Sequence, residues 1–297
     1  MSDWDAAQGI SRKIPRAFVT GAGGFLGRHV CKALSEWDLV TAGRGEGFPQ
    51  IPVDVVFSLA ATSDPFAAMR DPAGAYENNV RVMVRTLEYA RKVGARVIHV
   101  SSAEAYPPRS PYGGAKACQD IICDTYQDIP VTVVVTQSLF GECQQPEKLI
   151  PSAIRAMLAG EPVKLQCADG HYARRPFMYA GDLAKALLML AQMEPGRYNV
   201  GGAVSYSLRD IVRDLQTGLG VDTLRIQNVP VGGRVGHELD VKPLGCDIPG
   251  WEPTYPIAPA LHKVARWYLD HPEWLERNGT HLADPGATHS APARQAA

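Results

Sequence analysis

The stretch Arg16-Ala17-Phe18-Val19-Thr20-Gly21-Ala22-Gly23-Gly24-Phe25-Leu26-Gly27 decides how this chain folds. Arg16 to Val19 reads as a buried strand, a short apolar run that stops at glycines. Phe25 to Glu36 reads as a helix with Leu26, Val30, Ala33 and Leu34 turned toward a core. Gly21, Gly24 and Gly27 mark the junction at G-x-x-G-x-x-G spacing. The first permits a tight turn, the second lets backbone approach phosphate oxygens with no Cβ between, and the third lets the helix sit close to the strand. The N–H groups of the helix start, Phe25 and Leu26 among them, and the helix dipole then favour a dinucleotide pyrophosphate. A glycine triplet alone is weak evidence in a chain with 28 glycines among 297 residues. Its place between strand and helix gives it meaning.

About ninety residues later stands Tyr112-Gly113-Gly114-Ala115-Lys116, preceded by Ser101 and Ser102 at the end of the apolar run Val97-Ile98-His99-Val100. Tyr112 and Lys116 are four apart and share one face of a helix. A free phenol titrates near ~10, too high for acid–base work at neutrality. A neighbouring ammonium favours the phenolate and draws that value down. Ser102, at a strand end, is placed to hold a substrate hydroxyl or carbonyl in line with the phenol. The two motifs together predict an active site that moves a proton beside a hydride transfer.

The order of elements predicts a doubly wound α/β sheet. Strands at Leu39 to Ala42, Asp54 to Ala60, Arg96 to Ser101 and Val131 to Thr136 alternate with helices at Glu77 to Val93 and Tyr112 to Tyr126. The first of these helices is expected to place Val80, Val84 and Leu87 on one face, with Gly94 as its C-terminal cap. Residues 14–138 form a dinucleotide-binding domain to which later segments return. Residues 139–275 are mostly a substrate lobe, with helices near Leu149 to Leu158, Leu183 to Met193, Leu208 to Leu219 and Ile257 to Leu269. Residues 283–297 read as a disordered tail.

These residues resemble the extended short-chain dehydrogenase/reductases, in the NAD-dependent epimerase/dehydratase family, from about Arg16 to Trp274. Further support comes from Asp54-Val55-Val56-Phe57-Ser58-Leu59-Ala60-Ala61, Asn79-Val80, Arg109-Ser110-Pro111 and Arg175-Pro176-Phe177-Met178-Tyr179-Ala180-Gly181-Asp182. Pro146-Glu147-Lys148-Leu149-Ile150-Pro151 and Trp267 to Trp274 are most similar to nucleotide-sugar 4,6-dehydratases. The resemblance implies a Rossmann-type fold with a smaller C-terminal lobe. It implies NAD or NADP held by Gly21, Gly24, Phe25, Leu26, Gly27, Arg44, Leu59, Ala60, Ala61, Asn79, Tyr112 and Lys116. It further implies a nucleotide-sugar substrate, its diphosphate met by Arg175, Arg234 and Lys148, with Ser102, Tyr112, Lys116 and Glu104 catalytic. A homodimer through the helices holding Val80 to Leu87 and Tyr112 to Tyr126 is also implied.

Several departures shape the expected chemistry. Only nine residues separate Arg44 from Asp54, where the family places another helix and strand. Gly43-Arg44 stands in place of the acidic residue that binds ribose hydroxyls, which favours NADP. Ser102 and Tyr112 are only ten apart. Ala103-Glu104 stands where dehydratases carry an Asp-Glu pair, so a base remains and the acid is missing. Ser138 and Leu139 precede Phe140 where relatives carry an asparagine. The readings left open are a nucleotide-sugar epimerase or dehydratase that recycles its cofactor, an NADPH-dependent ketone reductase, and a dinucleotide sensor without catalysis.

Composition sets outer bounds. The chain has 45% hydrophobic residues and net charge −1, enough for a sizeable core and no basic surface for nucleic acid. It carries no long apolar run for a membrane span. Met1 to Lys13 is polar, and the six cysteines show no metal spacing. A cytoplasmic enzyme without a metal is the expectation.

Overall fold

The computed structural model describes residues 14–42, 47–230 and 240–276. The glycine-flanked run forms β1 (Arg16–Thr20). Four further strands follow it: β2 (Asp38–Ala42), β3 (Val55–Ser58), β4 (Arg96–Ser102) and β5 (Val131–Thr136). Short strands come next: β6 (Leu139–Phe140), β7 (Val163–Ala168), β8 (His171–Tyr172), β9 (Arg174–Arg175) and β10 (Met178–Tyr179). The last three are β11 (Arg197–Asn199), β12 (Tyr206–Ser207) and β13 (Ile226–Pro230). The helices are α1 (Phe25–Ala33), α2 (Pro65–Arg70), α3 (Pro72–Val93), α4 (Pro111–Thr125), α5 (Leu149–Leu158), α6 (Ala180–Leu190), α7 (Leu208–Leu219) and α8 (Ile257–Asp270).

Six strands make one parallel sheet in the order β11-β5-β4-β3-β1-β2. Alternation along each strand divides the apolar side chains between two faces. Ala17, Val19, Phe57, Ile98, Val100 and Val134 pack with α1 and α6. Phe18, Val56, Val97, Val133 and Val135 pack with Met83, Leu87 and Ala90 of α3. The chain leaves β1 toward β2 on one side and β3 toward β4 on the other, so the switch point lies between β1 and β3. Ligands of such sheets bind outside the carboxyl ends of the strands at that point.

After β5 the chain builds a second core from Phe140, Ile154, Leu165, Ile211, Leu215, Leu261 and Tyr268. It comes back to the large sheet through α6 and β11, which pairs with β5. The two-residue strands β6, β8, β9, β10 and β12 carry no detectable period, whereas β7 (six residues) and β13 (five residues) are strands that the sequence reading above does not include.

The face expected for α3 is corrected in one respect. Asn79, Met83, Thr86, Leu87 and Ala90 are its buried stripe, whereas Val84 is 37% exposed. Leu87 lies on the inner stripe, and Val84, three positions earlier, falls to its outer side. The helix also begins earlier, at Pro72, because Asp71 Oδ1 accepts from Gly74 N at 3.0 Å and Pro72 fits the first helical position. Gly94 closes it in the left-handed region, φ +73°, as expected.

β2 is the edge of the sheet, and no helix intervenes between β2 and β3 among the described residues. Phe48 fills the space, with its ring 5.4 Å from Phe18 and 5.7 Å from Tyr89 and the Arg85 guanidinium 4.8 Å above it. Tyr89 Oη donates to Ile51 O at 2.7 Å and ties the segment down.

Leu187 is fully buried between α6 and the sheet, while Met189 on the same helix is 42% exposed. Leu187→Ala should lower stability by about 2–5 kcal/mol, and Met189→Ala by less than about 0.5 kcal/mol, in urea unfolding.

Candidate active site

The glycine turn and the loop after β3 meet at the switch point. Gly21 has φ +69°, and a Cβ on it would stand 2.9 Å from Ala60 Cα. Thr20 Oγ1 accepts from Leu59 N at 3.0 Å and Ala60 N at 3.1 Å, and donates to Phe57 O at 3.4 Å. A Cβ on Gly27 would overlap the Gly21 and Ala22 carbonyls, whereas one on Gly24 would meet only Gly21 O, at 3.1 Å. Gly27 therefore serves the packing of α1 on the turn. Gly23 and Gly24 are exposed, and no side chain caps α1. Its first-turn amides, Phe25 and Leu26 included, are accordingly directed at open space above the sheet. This cradle fits a pyrophosphate: it has donors, room, and the positive end of a helix dipole.

Asn79 is wholly buried and spends its side chain on Thr62. Its Oδ1 accepts from Thr62 N at 2.7 Å and its Nδ2 donates to Thr62 O at 3.4 Å. The structure places it behind the Leu59-Ala60-Ala61 loop, which it holds in shape.

Two steps across the sheet, β4 ends at Ser102. The short connection that follows brings Glu104 N within 3.2 Å of Ser102 Oγ and Glu104 Oε2 within 3.4 Å of Ser110 Oγ. Ser110 caps α4 by accepting from Gly113 N at 3.1 Å, and Pro111 starts the helix. A Cβ on Gly113 would overlap Glu104 O, so glycine there lets α4 lie against the loop. Tyr112 shares a hydrogen bond with Ser102. Ser102, Glu104, Tyr112 and Lys116 thus come together at one end of the sheet, beside the glycine cradle.

The electrostatics differ from the expected lysine-lowered phenol. Burial raises Tyr112 to about 12; the Ser102 hydrogen bond opposes this, and the Glu104 and Asp120 charges add to it. Lys116 turns its ammonium to Val100 O at 2.8 Å, and burial draws it down to about 8. In this arrangement desolvation outweighs any help the ammonium gives the phenol.

On the other side of the opening, Lys148 precedes α5 and places Nζ 3.3 Å from Asp64 Oδ1, the cap of α2. Arg175 lies in β9, paired antiparallel with β12, and its guanidinium donates to Arg174 O at 2.9 Å and Gln166 Oε1 at 3.4 Å. Lys148 is therefore near the loop after β3, while Arg175 is tied into the lobe. Arg44 and Arg234 lie outside the described residues, as does the segment 283–297.

One residue that the motifs did not reveal stands out. Asp120 is 1% exposed and gathers Ser101, Tyr106, His99 and Arg197 one helical turn after Lys116. Its signal in the sequence was the continued four-residue step Tyr112, Lys116, Asp120 along one helix face.

Residues 17–201 match the model of the NAD dependent epimerase/dehydratase family. A dTDP-glucose 4,6-dehydratase of Xanthomonas campestris is 27% identical over 264 residues, covering 75% of this chain and 74% of that protein. Among solved structures, a dTDP-glucose 4,6-dehydratase from Streptomyces venezuelae with NAD and TYD bound superposes with TM-score 0.75 at 24% identity, over 88% of this chain and 99% of that one. RMD from Pseudomonas aeruginosa complexed with NADPH gives TM-score 0.74 at 22% identity, over 86% and 99%. No described helix is long and apolar enough to cross a membrane.

The two glycines should separate in thermal unfolding. Gly27→Ala forces backbone apart and should cost on the order of 2–4 kcal/mol. Gly24→Ala should cost less than about 1 kcal/mol.

Proposed function

As the chain is an enzyme of the NAD-dependent epimerase/dehydratase family, we propose that it acts on a nucleotide sugar by transient oxidation of a ring hydroxyl to a ketone. The observation that carries this reading is the convergence of Ser102, Tyr112 and Lys116 beside a glycine cradle at the switch point of a parallel sheet. A nicotinamide dinucleotide held by the Gly21–Gly27 turn and the Leu59–Ala61 loop supplies the hydride acceptor and donor. Tyr112 takes the hydroxyl proton, Ser102 aligns that hydroxyl, and Lys116 provides the positive charge that favours phenolate when the site is filled.

Oxidation acidifies the C–H next to the new ketone. Glu104, at the Ser102 turn, is the carboxylate proposed to accept that proton. Ala103 beside it is a methyl and has no proton for a departing hydroxyl. The pair supports exchange of a carbon-bound proton before hydride return more directly than loss of water. Lys148 and Arg175 are the described cations proposed for the substrate diphosphate. We further propose a homodimer through the outer faces of α3 and α4. Val84 and Ile121 are exposed there, and Tyr76 Oη touches Gly114, so the two faces adjoin.

Tyr112→Phe should reduce turnover by at least about 10²-fold and leave calorimetric binding of the dinucleotide intact. The near-ultraviolet absorbance of reduced nicotinamide should show no net change while wild-type enzyme converts a sugar nucleotide. Steady consumption of added NADPH would mark a ketone reductase instead.

The rate should also follow pH under two opposed requirements. The phenol must lose its proton, so kcat/KM rises with pH. Lys116 must keep its own, so the rise bends over near pH 8, where burial discharges the ammonium. A profile that keeps rising well past that point would exclude the charged lysine from the mechanism.

A further inference from the structure

Tyr112, Lys116 and Asp120 follow one another at four-residue steps on α4, and each is bound to β4. Tyr112 shares a hydrogen bond with Ser102, Lys116 Nζ donates to Val100 O at 2.8 Å, and Ser101 Oγ donates to Asp120 Oδ2 at 2.6 Å. His99 Nε2 stands 3.3 Å from Asp120 Oδ1. Four consecutive residues of β4 are thereby held by one face of one helix.

Asp120 also reaches two other elements. Tyr106, from the loop that carries Glu104, donates its hydroxyl to Oδ2. Arg197, on β11, places Nη1 3.2 Å from the same oxygen and 2.5 Å from Tyr106 Oη, with Nη2 3.2 Å from Asp124. The groups facing Asp120 are thus His99 from β4, Tyr106 from the loop, Tyr112, Lys116, Cys123 and Asp124 from α4, and Arg197 from β11. His99 is lowered by burial, which leaves Arg197 and Lys116 as the cations.

We infer that Asp120 is a positioning residue for this site: it ties the Glu104 loop and β11 to β4, one helical turn from the Lys116 ammonium, and acts through them without touching substrate. The inference rests on the reading of Tyr112 as the acid–base group. A carboxylate that is 1% exposed is costly to bury unless several donors and a cation satisfy it. Here three hydroxyl or guanidinium donors converge on Oδ2, and each comes from an element that must be in register for the site to form. The same charge opposes the discharge of Lys116 by burial.

The test is an NMR titration of Lys116 in full-length protein labelled at lysine, with the signal assigned by Lys116→Met. Asp120→Asn should lower the Lys116 midpoint by about one unit, since an opposite charge close by favours the charged form. Arg197→Met should raise it, because Asp120 is then less neutralised. The bend in the kcat/KM–pH profile should move in the same direction in each variant. Unchanged midpoints in both variants overturn the inference even where turnover falls, because loosened packing lowers activity without moving a titration. If Asp120→Asn does not fold, Arg197→Met decides alone. Shifted midpoints in an enzyme indifferent to Tyr112→Phe would uphold the hold of Asp120 on Lys116 and sink the reading of Tyr112, so the two failures are distinguishable.

Discussion

Two backbones pass at the carboxyl end of the sheet with no room for a side chain between them. Gly21 would place a Cβ 2.9 Å from Ala60 Cα, in a left-handed conformation that L side chains rarely adopt. β1 and β3 are neighbours whose chains depart in opposite directions, so this pass creates the crevice above them. Thr20 makes the approach affordable in polar terms, because one hydroxyl serves two amides and one carbonyl. A wider gap here would displace α1 and the Leu59–Ala61 loop together. Everything proposed to grip a dinucleotide hangs on those two segments.

Below the groups proposed for proton transfer the same economy appears in charge. Lys116 and Asp120 are nearly inaccessible to water, and each would be destabilising alone. They sit one helical turn apart, Lys116 on the Val100 carbonyl and Asp120 Oδ2 on the Ser101 hydroxyl, while Asp120 Oδ1 faces His99 Nε2 at 3.3 Å. Such a network specifies geometry more than it adds stability, because desolvation consumes most of the Coulomb attraction. It costs freedom as well: β4, α4, the Glu104 loop and β11 cannot slide relative to one another without leaving a buried charge unpaired. The reward is that Ser102 and Tyr112 keep a fixed separation.

Much of this was legible in the residues because the determining signals are local. The strand–glycine–helix order around Gly21, the serine pair closing Val97–Val100, and the four-residue step from Tyr112 to Lys116 each carry their meaning within a few positions. Helices over Leu149–Leu158 and Leu208–Leu219 agree with their apolar period to the residue. What could not be read was long-range. The return of Arg197–Asn199 to β5, sixty residues away, depends on a crossover that leaves no trace in a three-residue strand. The pairing of Lys148 with Asp64 joins segments 84 positions apart. The raised phenol of Tyr112 follows from burial, which the spacing of tyrosine and lysine does not encode. Val84 was misplaced because apolar residues on an outer face mimic the inner period.

The shortened edge shows which half of the site the fold needs. A doubly wound sheet of the ordinary kind continues past β2 with a third strand on that side. Here the described chain stops at β2, and Phe48 closes the lower face against Phe18 and Tyr89 in place of a helix. An aromatic plug can do this because it replaces buried apolar area at one point and needs no ladder of its own. It cannot rebuild a wall at the carboxyl end. Under the proposed function, the far half of a dinucleotide would therefore lean on β1, β2 and the glycine turn, with less enclosure than a longer sheet provides. The phenol, the ammonium, the serine and the cradle all stand on β1, β3, β4 and α4, and none of their hydrogen bonds reaches beyond β2. The outer edge can thus be trimmed without disturbing the geometry proposed for proton transfer, whereas a comparable loss between β1 and β4 would remove the candidate site.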